Sequence, residues 1–209
     1  MNKTSITPMC RLVAASVSVL ALCACSALVP PPTPPTSFYS LDSTRGAAPA
    51  PAPAAVALTL IVNPPHAAAG FDSSRIMYVR EAHKLEYFAH SEWVDPPARM
   101  LGTLLVNAIE NTGAFRAVAL MPGATGGDLR LDTEIIRLQH EFLSQPSRVR
   151  FTLRAYLVDD KTRRVLVWRE FEAAIAATSE DAYSGVVAAN RAVQTVLDNL
   201  SQFLAEKQK

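Results

Sequence analysis

Residues 148–157 alternate strictly between polar and apolar side chains, and this stretch constrains the fold more than any other part of the chain. The apolar positions are Val149, Phe151, Leu153, Ala155 and Leu157, and between them stand Arg148, Arg150, Thr152, Arg154 and Tyr156. Successive side chains of a strand point to opposite faces of a sheet, so this period predicts a strand with one buried and one solvated face. The buried face needs a covering layer.

Amphipathic helices supply that layer in the predicted fold. Asp95 as N-cap, Pro96 at the first position and Gly113 beyond the end indicate one helix, and residues 181–205 indicate a second. Further strands are predicted at residues 38–41, 56–62, 75–80, 85–90, 115–120, 129–138 and 165–176. We therefore predict an α+β single domain, a mostly antiparallel sheet with both helices packed on one face.

The first 25 residues have the pattern of a bacterial lipoprotein export signal. Lys3 and Arg11 form a basic start, and an apolar run leads into Leu22-Cys23-Ala24-Cys25. A membrane-spanning helix needs about 20 apolar residues, more than this run offers, so we expect it to be removed. Cleavage is predicted between Ala24 and Cys25, with Cys25 lipidated, because Cys25 has a small residue before it and an aliphatic one three positions back. An ordinary secretory signal cut nearby is the alternative.

Ser26 follows the predicted lipidation site in place of the aspartate that retains such proteins at the inner membrane. The expected location is therefore the periplasmic face of the outer membrane. All three cysteines lie at or before the predicted cut, so the mature chain has no disulfide to form.

The predicted organisation has four parts. Residues 1–24 are the removed signal, 25–37 the lipidated cysteine and a proline-rich stalk, 38–205 the folded domain, and 206–209 a polar tail. Prolines favour an extended conformation of about 3.1 Å per residue, so the stalk suits a semi-rigid spacer. A second tract, Gly46 to Ala55, is interpreted as a surface strap.

Charge and motifs narrow the function. Removing Lys3 and Arg11 from the 20 basic residues leaves 18, against 19 acidic ones, so nucleic-acid binding is not expected. The chain contains no GxSxG, HExxH or CxxC motif. We predict no enzyme activity, no cofactor and no metal. A zinc site from His83, His90 and Glu92 is the less favoured alternative.

Two groups of residues are candidates for binding surfaces. Arg148, Arg150 and Arg154 share one face of a predicted strand, where they either pair with neighbouring carboxylates such as Glu134 or contact anionic headgroups or an acidic partner. The hairpin at 75–90 is apolar on both faces. We expect Ile76, Tyr78, Leu85 and Tyr87 on one face, and Met77, Val79 and Phe88 on the other. Burial under the strap would explain this composition, and the alternative is a self-association surface, a partner surface or an apolar groove.

The chain resembles the ABC-type transport auxiliary lipoprotein family, of the paraquat-inducible type. The resemblance covers essentially the mature chain, and its motifs are individually weak but ordered. They are Phe38-Tyr39-x-Leu41, Arg75-x-x-Tyr78, Tyr87-Phe88, Trp93, Pro96-Pro97, Thr112-Gly113-x-Phe115 and Leu129-x-Leu131.

The resemblance implies a noncatalytic accessory subunit of a transport system that moves phospholipid or other hydrophobic molecules. Its implied partners are an MCE-domain protein with an ABC ATPase and permease, and the chain is expected to form a homo-oligomer. The candidate partner or oligomer surface is Phe38, Tyr39, Arg75, Tyr78, Tyr87, Phe88 and Trp93. A structural outer-membrane assembly lipoprotein and an envelope hydrolase are the alternatives.

Overall fold

A computed structural model describes residues 33–42, 58–123 and 126–207. The predicted signal, Cys25 and most of the proline-rich tracts lie outside these residues. The strands are β1 (Ser37–Tyr39), β2 (Thr59–Val62), β3 (His66–Ala67), β4 (Arg75–Glu81), β5 (Lys84–Trp93), β6 (Ala117–Leu120), β7 (Leu129–Glu141), β8 (Arg148–Asp159) and β9 (Val165–Ala176). The helices are α1 (Pro97–Glu110) and α2 (Ala182–Glu206).

The long strands β7, β8 and β9 form an antiparallel meander that organises the domain. The apolar positions of β8 are buried, and Phe151 and Leu153 are fully enclosed at 0% exposure. The polar positions of β8 face the opposite side, as the alternation predicts. β7 and β9 pair with β8 along its length, with one register shift in each ladder, so one face of the meander is mainly apolar and the other mainly charged.

β8 pairs with one edge of β7, and three short strands pair with its other edge. β2, β3 and β4 pair with it in succession, each in the parallel sense. β6 continues the sheet beyond β2, while β5 pairs antiparallel with β4 and β1 pairs parallel with β5. The sheet is therefore mixed, with its long ladders antiparallel.

Both helices cover the apolar face. α2 contacts β7, β8 and β9, α1 contacts β2 and β6, and the two helices contact each other. The inward residues of α2 are nearly all enclosed, including Val196 and Leu200 at 0% exposure. The predicted α+β fold is thus confirmed. None of the helices within the described residues is long and apolar enough to cross a membrane.

The start of α1 differs from the prediction by one residue. Pro96, not Asp95, is the N-cap, and it makes no side-chain capping bond. Pro97 excludes helical geometry at the residue before it, which holds Pro96 extended at ψ 134°. The Asp95 carboxylate instead pairs with Arg99 at 3.3 Å.

Candidate partner-binding site

An open groove of about 840 Å³ lies between β1 and α2. This volume is within the range of ligand and peptide sites. One set of lining residues is apolar and consists of Phe38, Tyr39, Ile175, Tyr183, Val186 and Val187. The other set is polar and consists of Ser40, Asp42, Asn190, Arg191, Gln194, Thr195 and Asp198. Because its residues reach from position 183 to 198, the groove follows α2 for about four turns.

Two local features fix the walls of the groove. Asn190 links helix and strand, because its Nδ2 donates to the Ser40 carbonyl at 3.2 Å and its Oδ1 accepts from the Asp42 amide at 2.9 Å. Asp181 caps α2 by accepting from the Ser184 amide at 2.8 Å, which fixes the turn that carries Tyr183. The rings of Tyr39 and Tyr183 lie 6.4 Å apart across the groove.

The groove leaves large aromatic surface in solvent. Phe38 is 63% exposed and Tyr183 is 65% exposed. Aromatic side chains beside amides that can hydrogen-bond are the composition that protein interfaces favour. The arrangement can bind a partner, and it presents no nucleophile paired with a base.

The β4–β5 hairpin does not divide its side chains as expected. Tyr78 and Phe88 pack together with ring centroids 4.8 Å apart, whereas Tyr87 lies opposite Met77. The prediction that Tyr78 shares a face with Tyr87 is therefore wrong. The cause is the register shift between Tyr78 and Glu81, because it places Tyr78 opposite Glu86 instead of Tyr87.

The remaining predicted surface residues separate into exposed and enclosed groups. The Arg75 guanidinium stacks over the Tyr87 ring at 4.1 Å, and Tyr87 is 48% exposed. Tyr39, Tyr78 and Phe88 are half-buried. Trp93 belongs to the core at 3% exposure, so this fold offers no surface of Trp93 to a partner.

Among the residues that the structure describes, His140 is the most enclosed titratable group, at 2% exposure. Its Nε2 shares a hydrogen bond of 2.9 Å with the Ser147 hydroxyl, and its Nδ1 has no partner within the described residues. Burial lowers the pKa of His140, and the carboxylates of Asp181 and Glu180 oppose this only in part. A serine–histidine pair can be catalytic, but here no carboxylate orients Nδ1 and Ser147 is also 2% exposed.

Carboxylates surround two of the three predicted arginines on the charged face. Arg150 pairs with Glu141 at 2.9 Å and with Glu172 on the opposite strand. Arg154 pairs with Glu170 at 2.6 Å and Glu134 at 3.5 Å.

The third arginine has a neutral partner. Arg148 donates to the Ser144 hydroxyl at 2.8 Å. The suggested contact of this row with anionic groups stays a prediction.

No group of three potential metal ligands occurs in the part of the chain that the structure describes. His83 occupies the β4–β5 turn with φ 68°, while His90 and Glu92 lie on β5. Sequence reasoning did not single out Tyr183, because only the fold brings the start of α2 to β1. Its position at the start of the helix predicted over residues 181–205 was the available signal.

A family model for the ABC-type transport auxiliary lipoprotein component matches residues 39–201. The chain therefore belongs to this family of auxiliary lipoproteins, which serve in ABC-type transport. The match begins at Tyr39, the last residue of β1, and covers most of the helix that forms the other wall of the groove. The family is an accessory component rather than a known enzyme class.

Solved structures support the same fold. The crystal structure of protein XCC0632 from Xanthomonas campestris is 26% identical with a TM-score of 0.71, covering 83% of this chain and 98% of that one. A second structure, of an uncharacterized protein, is 13% identical with a TM-score of 0.61, covering 84% and 100%. No match was found among curated protein sequences.

Proposed function

We propose that this chain is a lipid-anchored periplasmic subunit of an MCE-type ABC transport system that moves phospholipid or other hydrophobic molecules across the envelope. In this proposal the lipid on Cys25 holds the chain to the outer membrane, and the stalk of residues 25–37 links the lipid to the domain. The domain is a noncatalytic docking or tunnel-end subunit, present as a homo-oligomer, and it binds the MCE-domain protein.

The groove between β1 and α2 supports this proposal most directly. Phe38 and Tyr183 are more than half exposed, so their rings are available to a protein partner without rearrangement of the core. Burial of a few such aromatic side chains supplies most of the free energy of a typical protein interface. β1 begins at Ser37, the last residue of the predicted stalk, so one wall of the groove lies at the start of the folded domain.

The test is co-purification with an MCE-domain protein encoded in the same operon, after gentle crosslinking in cells. We expect capture by the natural chain and at least about tenfold less capture by a Phe38→Ala, Tyr183→Ala double variant. Leu143→Ala is the matched control, because Leu143 is also exposed, at 57%, but does not line the groove. Failure of the natural chain to capture the MCE protein would contradict the proposal.

A further inference from the structure

Residues 161–169 form a second surface, at the turn between β8 and β9 and the first residues of β9. We name this segment the basic tip. Every charged residue in it is a cation: Lys161, Arg163, Arg164 and Arg169. The residues between the last two of these are all apolar: Val165, Leu166, Val167 and Trp168.

Three large apolar side chains of the basic tip are exposed. Val165 is 55% exposed, Leu166 54% and Trp168 59%. Within the described residues β9 pairs with β8 alone, so these side chains lie on an edge strand. Edge strands normally carry charged residues that discourage association, and an apolar patch on such an edge indicates a binding surface.

The local register explains why these side chains face outward. Leu157 pairs with Val167 and Val158 pairs with Val165, so the intervening Leu166 has no opposite residue. Such a bulge bends the strand and redirects its side chains. Trp168 stands opposite Tyr156 on the charged face, with ring centroids 6.3 Å apart, away from the helices.

The carboxylates near the basic tip leave part of its positive charge unpaired. Asp159 accepts from the Thr162 amide at 2.7 Å, and Asp160 pairs with Arg130 at 3.5 Å and Arg163 at 3.3 Å. The Asp128 carboxylate lies 3.5 Å from the Arg116 guanidinium.

Arg169 stacks over the rings of Phe171 and Phe203, at 5.3 and 5.4 Å, so the weakly held cations of the basic tip are Lys161 and Arg164. Lys161 is 3.9 Å from Asp128 and its side chain is 79% exposed. Arg164 is exposed and has no ion-pair partner among the described residues. The tip therefore offers cations and apolar side chains on the same edge.

We propose that the basic tip binds the surface of a bilayer that contains anionic phospholipid. Tryptophan favours the boundary between headgroups and acyl chains, because its ring is apolar and its indole N–H is polar. Lysine and arginine beside it are attracted to the negative surface potential of such a bilayer. Trp168 and Leu166 enter this boundary, while Lys161 and Arg164 contact phosphate groups. Membership in a lipoprotein family makes a bilayer available, and the inference does not depend on the MCE partner.

The test is the fluorescence of Trp168 in the full chain reconstituted into vesicles. The chain has two tryptophans, and Trp93 is buried, so the difference between the natural chain and Trp168→Phe isolates Trp168. In vesicles of phosphatidylethanolamine and phosphatidylglycerol we expect a blue shift and quenching by brominated lipid. Both effects should weaken in phosphatidylcholine vesicles and at high salt.

Charge variants make the test specific. Lys161→Gln with Arg164→Gln should weaken the response to anionic lipid by at least about tenfold, whereas Lys84→Gln with Arg99→Gln removes the same charge elsewhere and should not. Equal quenching of Trp168 by aqueous iodide in all vesicles would overturn the proposal. Shielding of Trp168 that rises with protein concentration in detergent would also overturn it, and would assign the patch to a second copy of the chain.

Discussion

His140 and Glu141 are neighbours on β7, yet their side chains meet opposite environments. His140 points to the helix-covered face, where Nδ1 has no partner among the described residues. Glu141 points to the charged face, where Arg150 donates to both of its oxygens, at 2.9 and 3.2 Å, and Gln139 donates at 3.0 Å. One face is held by close packing and the other by paired charges.

This difference indicates where binding surfaces can exist. The apolar face is closed by the helices, and on the charged face the carboxylates already occupy the guanidinium groups of Arg150 and Arg154. The groove and the basic tip lie at the rim of the sheet. There the helices do not fully cover the apolar side chains, and the carboxylates do not pair with every cation. Variants on the two faces should therefore alter stability, and variants at the rim should alter binding.

Loss of packing on the apolar face should have the largest effect. Phe151 is fully buried at the centre of β8. Phe151→Ala should lower the free energy of unfolding by about 3–5 kcal/mol, because it removes apolar contacts and leaves a cavity. Chemical denaturation of the full chain measures this, and a change below about 1 kcal/mol would show that this face is loosely packed.

Crowding at His140 should have the next effect. A Cβ at Gly185 would stand 2.6 Å from the His140 Nδ1. Gly185→Ala should therefore cost about 1–3 kcal/mol of unfolding free energy. Denaturation of Gly185→Ala, His140→Ala and the double variant checks the cause, because removal of the ring should relieve the clash. If the costs of the two single substitutions were additive in the double variant, the destabilisation by Gly185→Ala would not come from a clash with the His140 ring.

The charged face should respond less, and unevenly. Arg150→Ala should cost about 1–3 kcal/mol, because it leaves the buried Glu141 carboxylate without its main donor. Arg154→Ala should cost less than Arg150→Ala, because the carboxylates of Glu134 and Glu170 are more exposed than that of Glu141. Denaturation at low and high salt compares the two variants. Equal losses of unfolding free energy in the two variants would contradict the expectation that the buried ion pair matters more than the exposed one.

Acid should destabilise the two faces in sequence. The pKa of His140 is lowered by burial, so the unfolded chain takes up its proton first and stability falls as the pH drops below about 6.5.

The charged face should follow at lower pH. Burial acts to raise the pKa of Glu141, but the bonds from Arg150 and Gln139 outweigh it and hold this pKa below 4.5. The stability that Glu141 contributes is therefore kept above that pH and lost as the pH falls through its folded pKa.

The contribution of His140 can be measured by thermal unfolding between pH 7 and 5. Over this range the loss of stability should be smaller for His140→Gln than for the natural chain. An identical loss of stability in the two proteins would show that His140 does not cause this pH dependence.

The sequence predicted the elements whose pattern is local and strong. The alternation in β8, the range of β9 and the final helix predicted over residues 181–205 all agree with the structure. Other features depend on contacts between distant residues. β3 has only two residues and exists because it pairs with β7. The hairpin faces depend on bulges that no periodicity reveals, and the groove exists because the fold brings Tyr183 within 6.4 Å of Tyr39.

The central claim is that the rim of the sheet binds the partner and the charged face does not. A photo-crosslinking amino acid placed at Tyr183 in the groove, or at Glu172 on the charged face, tests it in cells that express the MCE-domain protein. The account predicts a crosslink to that protein from position 183 and none from position 172. A crosslink from position 172 in the absence of one from position 183 would contradict it.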